Sequence, residues 1–299
     1  MKKYSVRPAT LHDIEAVHDI IAKQNAVDYG EELMTIEGLQ KSWENLDLEA
    51  VTCTAYADGK LAGYAALLEG DSPYIYLADR GNVDLAFQLL TILEEKAVVH
   101  KTEKVKLFTK ISEKNNTLLQ LFASNGYKSN LSFIIMQLEM NEPPPTPQWP
   151  EGIAVRPFIR GQDEQATYQA DEEAAEDKGY HDPFSYEGWA KRMGMDRESF
   201  DPGLWFLACD GNEIAGVALN VYGKETNIGW VDHLSVRRAW RRKGIGRALV
   251  LHSFGEFHRR GIRRVKLSVD SKSLTNAPRL YELLGMQTAE QYHIYTKEI

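Results

Sequence analysis

The spacing of apolar residues divides this 299-residue chain into two similar series of elements. In the first series Leu11, Ile14, Val17 and Ile21 recur every three or four residues. That spacing predicts one apolar helix face, with Thr10 and Asp13 as a capping pair at its start. TCTAYADGKLAGYAAL (52–67) alternates as two strands, and Asp58-Gly59 between them is a hairpin turn signal. The second series repeats this with WFLACDGNEIAGVALNVY (205–222) and adds a strand, IGWVDHLSV (228–236). Ala248, Leu249, Val250, Leu251, Phe254 and Phe257 then form a broad apolar helical surface that Gly261 ends. Val265, Leu267 and Val269 alternate with Lys266 and Ser268, a strand of period two. Pro278 to Leu284 reads as a short helix stopped at Gly285. The order is helix, β-meander, helix, strand, helix, strands, an α/β (α+β layered) domain occurring twice.

Four matches occur in the same order in both halves. YSVRPAT (4–10) matches IAVRPF (153–158), and DGKLAG (58–63) matches DGNEIAG (210–216). VKLFTK (105–110) matches VKLSVD (265–270), and LFASNGY (121–127) matches LYELLGM (280–286). This pattern predicts a duplication. Between the copies lies NEPPPTPQWP (141–150). Its prolines lack the N–H of a helix or central strand, so it reads as a stiff, extended linker. The expected division is a first domain over 1–141, a Pro-rich linker over 142–152 and a second domain over 153–299.

Composition changes this picture little, but it narrows the partners. Apolar residues at 43% and charged residues at 26% are those of an ordinary globular protein. The net charge of −8 argues against generic nucleic-acid binding. Cys53 and Cys209 each lie in an apolar run, so buried reduced thiols are expected rather than a disulfide framework. The N-terminus lacks the apolar core of a signal peptide, and no stretch approaches about 20 apolar residues. These features predict a soluble cytoplasmic protein with no membrane partner, either a monomer or a homodimer.

Against that acidic background, RRKGIGR (241–247) concentrates Arg241, Arg242, Lys243 and Arg247 around Gly244 and Gly246, at a strand-to-helix junction. A P-loop requires GxxxxGK[ST], which is absent. A dinucleotide fingerprint requires a third glycine where Leu249 stands. The remaining physics still suits phosphate. Helix N-terminal N–H groups carry partial positive charge, and glycines let a ligand approach the backbone. A solvated basic turn with glycines for tight packing is the competing reading.

LSVRRAWRRKGIGRALV (234–250) resembles the acetyl-CoA signature of the GNAT N-acetyltransferases, [RQ]xxGx[GA], with Arg241, Gly244 and Gly246 at its fixed positions. Leu234, Ser235 and Val236 match the family's L-x-V strand end. APRLYELLGM (277–286) matches its A-x-x-LY-x-x-x-G[FM] segment, with Tyr281 at the family tyrosine. The resemblance covers nearly all of the second copy, and the duplicated arrangement is similar to that of tandem two-domain members. It implies tandem GNAT folds, each a mixed, mostly antiparallel sheet flanked by helices. It further implies an acetyl-CoA-dependent N-acetyltransferase (an acyltransferase) with no metal, acting on a small-molecule or peptide primary amine by direct attack. Leu234 and Val236 would bind pantetheine and the thioester carbonyl through their backbones. The loop Arg242, Lys243, Gly244, Ile245, Gly246, Arg247 would hold the pyrophosphate, and Tyr281 would be the general acid. For the general base, counting by two from Val236 through Leu234 selects Asp232 first, and His233, on the other face, second. The family's asparagine is replaced by Leu274, with Asn276 and Ser273 nearby. The alternative function is a non-catalytic acyl-CoA-binding or partner-binding module.

Aligned by VKLFTK with VKLSVD, the first copy carries Asp84 at the place of Gly244. Aligned by Gly126 with Gly285, it carries Phe122 at the place of Tyr281, while Asn115 matches the family asparagine. A carboxylate in the cradle would repel pyrophosphate, so the first copy is expected to bind no CoA. In the second copy Glu172, Glu173, Glu176 and Asp177 form an acidic run that reads as a solvated face or as an attractor for a cationic amine. Trp189, Trp205 and Trp230 are expected in the core.

Overall fold

Strand, helices and a β-meander open the chain of this computed structural model, which describes residues 3–69, 71–99, 104–176, 183–273 and 276–299. The elements are β1 (Ser5–Arg7), α1 (Ile14–Tyr29), α2 (Ile36–Glu44), α3 (Leu48–Val51), β2 (Thr52–Ala57), β3 (Lys60–Leu68), β4 (Ser72–Leu77), α4 (Val83–Val98), β5 (Lys106–Ser112), α5 (Asn116–Ser124) and β6 (Lys128–Glu139). After the proline-rich stretch, which holds no helix or strand, come β7 (Ile153–Pro157), α6 (Glu164–Ala175), α7 (Tyr186–Arg192), β8 (Trp205–Asp210), β9 (Glu213–Gly223), β10 (Ile228–Val236), α8 (Ile245–Arg259), β11 (Arg264–Asp270), α9 (Ala277–Leu283) and β12 (Gln287–Glu298).

By compactness, Met1–Ile134 with Ala289–Ile299 forms one unit and Ile135–Thr288 the other. The sequence repeats and the compact units are therefore not the same partition of the chain. The last strand serves the first unit, where β12 pairs antiparallel with β5 from Tyr292 opposite Ser112 to Glu298 opposite Lys106. In the second unit the final residues of β6 lie beside β11, and Met140 N donates to Arg263 O at 2.8 Å.

In the first unit β1, β2, β3 and β4 form an antiparallel sheet in chain order. The β2–β3 hairpin turns at Asp58 and Gly59, both at positive φ (51° and 72°), as an Asp-Gly turn requires. The core joins the inner sheet residues Cys53, Ala55, Ala65 and Ile75 to Leu85, Leu89 and Leu93 of α4. In the second unit β7, β8, β9 and β10 are antiparallel and β11 joins parallel to β10. One sheet face packs Trp205, Leu207, Val217 and Leu219 on α6 and α7, with Trp189 at the centre. The other packs Ala218, Leu234 and Val236 on Ile245 and Leu249 of α8. Gly229 keeps α8 close, because a Cβ there would meet the Phe257 ring at 2.7 Å.

Both units enter their first helix through the same ion pair. Arg7 grips Asp13 with two bonds of 2.7 Å, and Arg156 grips Asp163 with bonds of 2.5 and 2.8 Å. The two helices repeat from these aspartates onward, with the same run of buried and half-buried positions through Ile21 and Asp171. Cys53 and Cys209 are buried and unbridged, and burial pushes the Cys53 thiol up to about 11. Among the described residues no helix is long and apolar enough to cross a membrane.

Candidate functional site

In the second unit the pairing of two parallel strands ends early. β10 pairs with β11 at Ile228–Arg264, Gly229–Val265 and Trp230–Lys266, and the ladder goes no further, although β10 runs on to Val236 and β11 to Asp270. Arg237 N donates to Ala215 O at 3.0 Å, on the β9 side. Backbone groups alternate along a strand, so those of Val236 and Leu234 point away from β9, toward the side β11 has left. The Leu234 and Val236 side chains meanwhile pack toward α8, and Ser235 points the opposite way.

The loop after β10 divides its cations into two groups. Arg241 Nε donates to Val236 O at 2.9 Å and its Nη2 to Ala174 O at 3.2 Å. Arg237 pairs with Glu173 at 2.6 Å and lies over the Trp240 ring at 4.8 Å. These two arginines clamp the end of β10 to the last turn of α6. Arg242, Lys243 and Arg247 are exposed. Gly244 is the N-cap of α8 at φ 92°, a left-handed geometry that glycine adopts without strain, and no side chain caps the helix. The Ile245 side chain is core, 1% exposed, so only its backbone faces the loop. At Gly246 a Cβ would touch Val236 at 3.6 Å and Leu280 at 3.9 Å, so β10, α8 and α9 converge at this glycine.

Tyr281 lies on α9 beside Leu280 and is 7% exposed. Burial pushes its hydroxyl up to about 12, and among the described residues no group hydrogen-bonds to that hydroxyl. Asn276 is the exposed N-cap of α9 in a left-handed conformation, and its side chain caps nothing. Leu274, and Asp177 of the acidic run, lie outside the described residues.

The count that placed Asp232 with Leu234 and Val236 does not hold. The register slips between Val231 and His233, so Val231, not Asp232, stands opposite Asn220. A β-bulge carries an extra residue and shifts the alternation by one. Asp232 is that residue and is exposed. His233, opposite Leu219, shares its face with Ser235, and both meet a side chain that sequence reasoning missed. Asp171 of α6 is 4% exposed and accepts from His233 Nδ1 at 3.0 Å, Ser235 Oγ at 2.6 Å and Trp189 Nε1 at 2.9 Å. Burial opposes its charge, but the attraction of His233 and the three donors outweigh burial and hold the carboxyl well below the usual carboxylate range. The acidic run is partly spent on structure, with Glu173 on Arg237 and Glu172 accepting from Phe184 N. Trp189 and Trp205 are core residues, each 1% exposed, and Trp230 is half-buried.

The first unit builds the same corner differently. Leu77 pairs with Gly63 as Val236 pairs with Gly216, and Ile75 with Ala65 as Leu234 with Ala218. Ala78 N donates to Ala62 O as Arg237 N does to Ala215 O. The backbone groups matching those of Leu234 and Val236 thus belong to Ile75 and Leu77, and a side chain of the same unit occupies them. Gln24 Nε2 donates to Ile75 O at 3.1 Å, and Leu77 N donates to Gln24 Oε1 at 3.3 Å. Counted from the paired aspartates, Ala174 stands at the Gln24 position in the second unit, and its methyl group makes no such bonds. Asn82, not Asp84, is the N-cap that matches Gly244, and its side chain accepts from Leu85 N at 3.2 Å. Asp84 therefore corresponds to Gly246, and the loop before the helix is shorter. Asn115 donates to the buried Asp28, which also pairs with Arg80.

Comparison with known proteins identifies the family and the fold. A solved GCN5-related N-acetyltransferase from Sphaerobacter thermophilus is 34% identical, with 99% of this chain and 95% of that one covered at a TM-score of 0.83. The chain belongs to the GNAT family. The family profile, described as acetyltransferase (GNAT) family, matches residues 165–286, within the second unit. A mycothiol acetyltransferase from Thermobispora bispora is 33% identical over 155 residues, 50% of this chain and 52% of that protein. The enzyme of that name from Streptomyces coelicolor is 31% identical over 157 residues, 52% of this chain and 49% of its own. The chain spans about half the length of the curated relatives it matches. A tandem GNAT protein from the clavulanic acid biosynthesis pathway shares the fold at 14% identity, with a TM-score of 0.70 over 99% of this chain. The GNAT fold thus occurs twice in this chain.

Proposed function

We propose that the second unit is an acetyl-CoA-dependent N-acetyltransferase acting on a primary amine by direct attack, and that the first unit transfers no acyl group. The observation that carries this reading is the convergence at Gly246 of an open strand edge, an uncapped helix start and the helix that bears Tyr281. The residues fit the donor. The free N–H groups of Ile245, Gly246 and Arg247, with the exposed Arg242, Lys243 and Arg247 side chains, suit a pyrophosphate. Val236 O already accepts from Arg241, but the outward N–H of Val236 and the outward backbone groups of Leu234 suit the amides of pantetheine, and an N–H there would stabilise charge developing on the thioester oxygen.

As the amine nitrogen bonds to the thioester carbon, the C–S bond breaks and the thiolate takes a proton from the Tyr281 hydroxyl. A phenol raised to about 12 keeps its proton at neutral pH until that charge arrives. The phenolate regains a proton from the amine, which must shed one as it becomes an amide. In the first unit the Gln24 carboxamide takes the strand edge, Asn82 caps the helix start and Phe122 replaces the tyrosine.

The test is CoA thiol release from acetyl-CoA with a panel of primary amines. Tyr281→Phe is expected to lower kcat by about 10²-fold or more while leaving CoA affinity and Tm close to wild type. Tight CoA binding without turnover of any amine, and no effect of Tyr281→Phe, would instead mark a non-catalytic acyl-CoA-binding module.

A further inference from the structure

The reaction needs a group that takes the first proton from an ammonium, and the best-placed pair on this face was not legible in the motif. We infer that Asp171 is a positioning residue that fixes His233 so that its Nε2 accepts the proton of the incoming amine. This rests on the acetyltransferase reading above and extends it to the acceptor side.

The geometry determines which nitrogen works. Trp189 Nε1 only donates, and an ionised carboxylate only accepts. Asp171 already takes the indole N–H on Oδ2 and the Ser235 hydroxyl on Oδ1. His233 Nδ1, 3.0 Å from Oδ2, therefore carries a proton in both charge states of the ring. The proton that comes and goes is the one on Nε2, and the ring is 25% exposed. Two rigid anchors hold the carboxylate, one on α7 and one on β10, so the ring is aimed rather than free to turn. Asp232, the other candidate, stands out at the bulge with no such support.

The first unit supplies an internal control. Its residues at the positions of Asp171, His233 and Ser235 are Ile21, Tyr74 and Tyr76. The same helix-on-sheet contact thus forms there with an apolar side chain in place of Asp171, so the fold does not require the pair. The unit with the open strand edge is also the one that has it.

In the step proposed, R–NH3+ gives one proton to His233 Nε2 and attacks as R–NH2. The second nitrogen proton leaves as the amide forms and balances the one that Tyr281 gives to sulfur. His233 then returns its proton to solvent, so the products are the amide, CoA thiol and one proton.

The experiment uses the full chain with 15N-labelled histidine, the His233 signals being assigned by their loss in His233→Ala. Nδ1 is expected to stay protonated across the titration while Nε2 gains and loses the proton, and Asp171→Asn is expected to abolish that preference. With the fastest amine of the panel, His233→Ala and Asp171→Asn should each lower kcat about 10²-fold with little change in the KM for acetyl-CoA, and the double variant should be no slower than either. Imidazole should restore part of the His233→Ala rate, a readout that does not depend on Asp171→Asn folding. An Nε2–H tautomer, additive losses, or a His233→Ala enzyme as fast as wild type would overturn the inference while leaving the acetyltransferase reading intact. A wild type that binds CoA but turns over no amine would overturn both.

Discussion

At the scale of single residues, the glycines of the loop have different reasons for being glycine. Gly244 is held at φ 92°, so any side chain there costs backbone strain of about 1 kcal/mol or more regardless of ligand. Gly246 has no such constraint, and its Cβ would find ordinary contacts at 3.6 and 3.9 Å. Gly246→Asp, which copies Asp84 of the first unit, is therefore the cleaner probe. It should remove measurable CoA binding in calorimetry while shifting Tm little. A variant that binds CoA normally would take the loop out of the donor site. Local chemistry of this kind was legible in the sequence. The Asp171–His233 contact was not, because 62 positions separate the partners and nothing in either neighbourhood announces the other.

Among the elements, strands and helices followed their apolar periodicity closely, and both Asp-Gly turns are where the alternation breaks. The bulge in β10 escaped the same reasoning. A one-residue slip leaves no mark in a pattern of period two, yet it changes which side chains share a face. The loop after β10 was read as one basic cluster, but its cations do two jobs. Neutralising Arg242, Lys243 and Arg247 together to glutamine should weaken CoA binding about 3- to 150-fold at low salt, at roughly 0.2–1 kcal/mol per exposed charge, and the difference should shrink as ionic strength rises. Arg241→Gln should instead lower Tm by several degrees, because it releases the bonds from Val236 and Ala174. If Arg241→Gln showed the salt-dependent loss and an unchanged Tm, the division between clamp and cradle would be wrong.

For the whole molecule, the paired carboxylates set the response to acid. Asp13, Asp163 and Asp171 all sit below their ordinary range. For Asp163 the Arg156 pair is the leading cause; for the other two, burial is overcome by their donors. A depressed folded-state value stabilises the protein above the unfolded value of about 3.9, and that contribution is lost as pH falls toward the folded value. Unfolding free energy should therefore be nearly flat above about pH 5 with respect to these groups and fall below about pH 4. Asp163→Asn should make the fall shallower; an unchanged acid limb would deny Asp163 its share.

The Gln24 carboxamide has a consequence for the history of such a chain. A duplicated domain that merely lost its loop could regain function by a single reversion. Here one amide side chain satisfies Ile75 and Leu77, so removing it first leaves two backbone groups without partners, while repairing the loop first gains nothing behind a closed edge. Neither step alone is favoured, so on the function proposed above the Gln24 side chain is a barrier to reopening that edge.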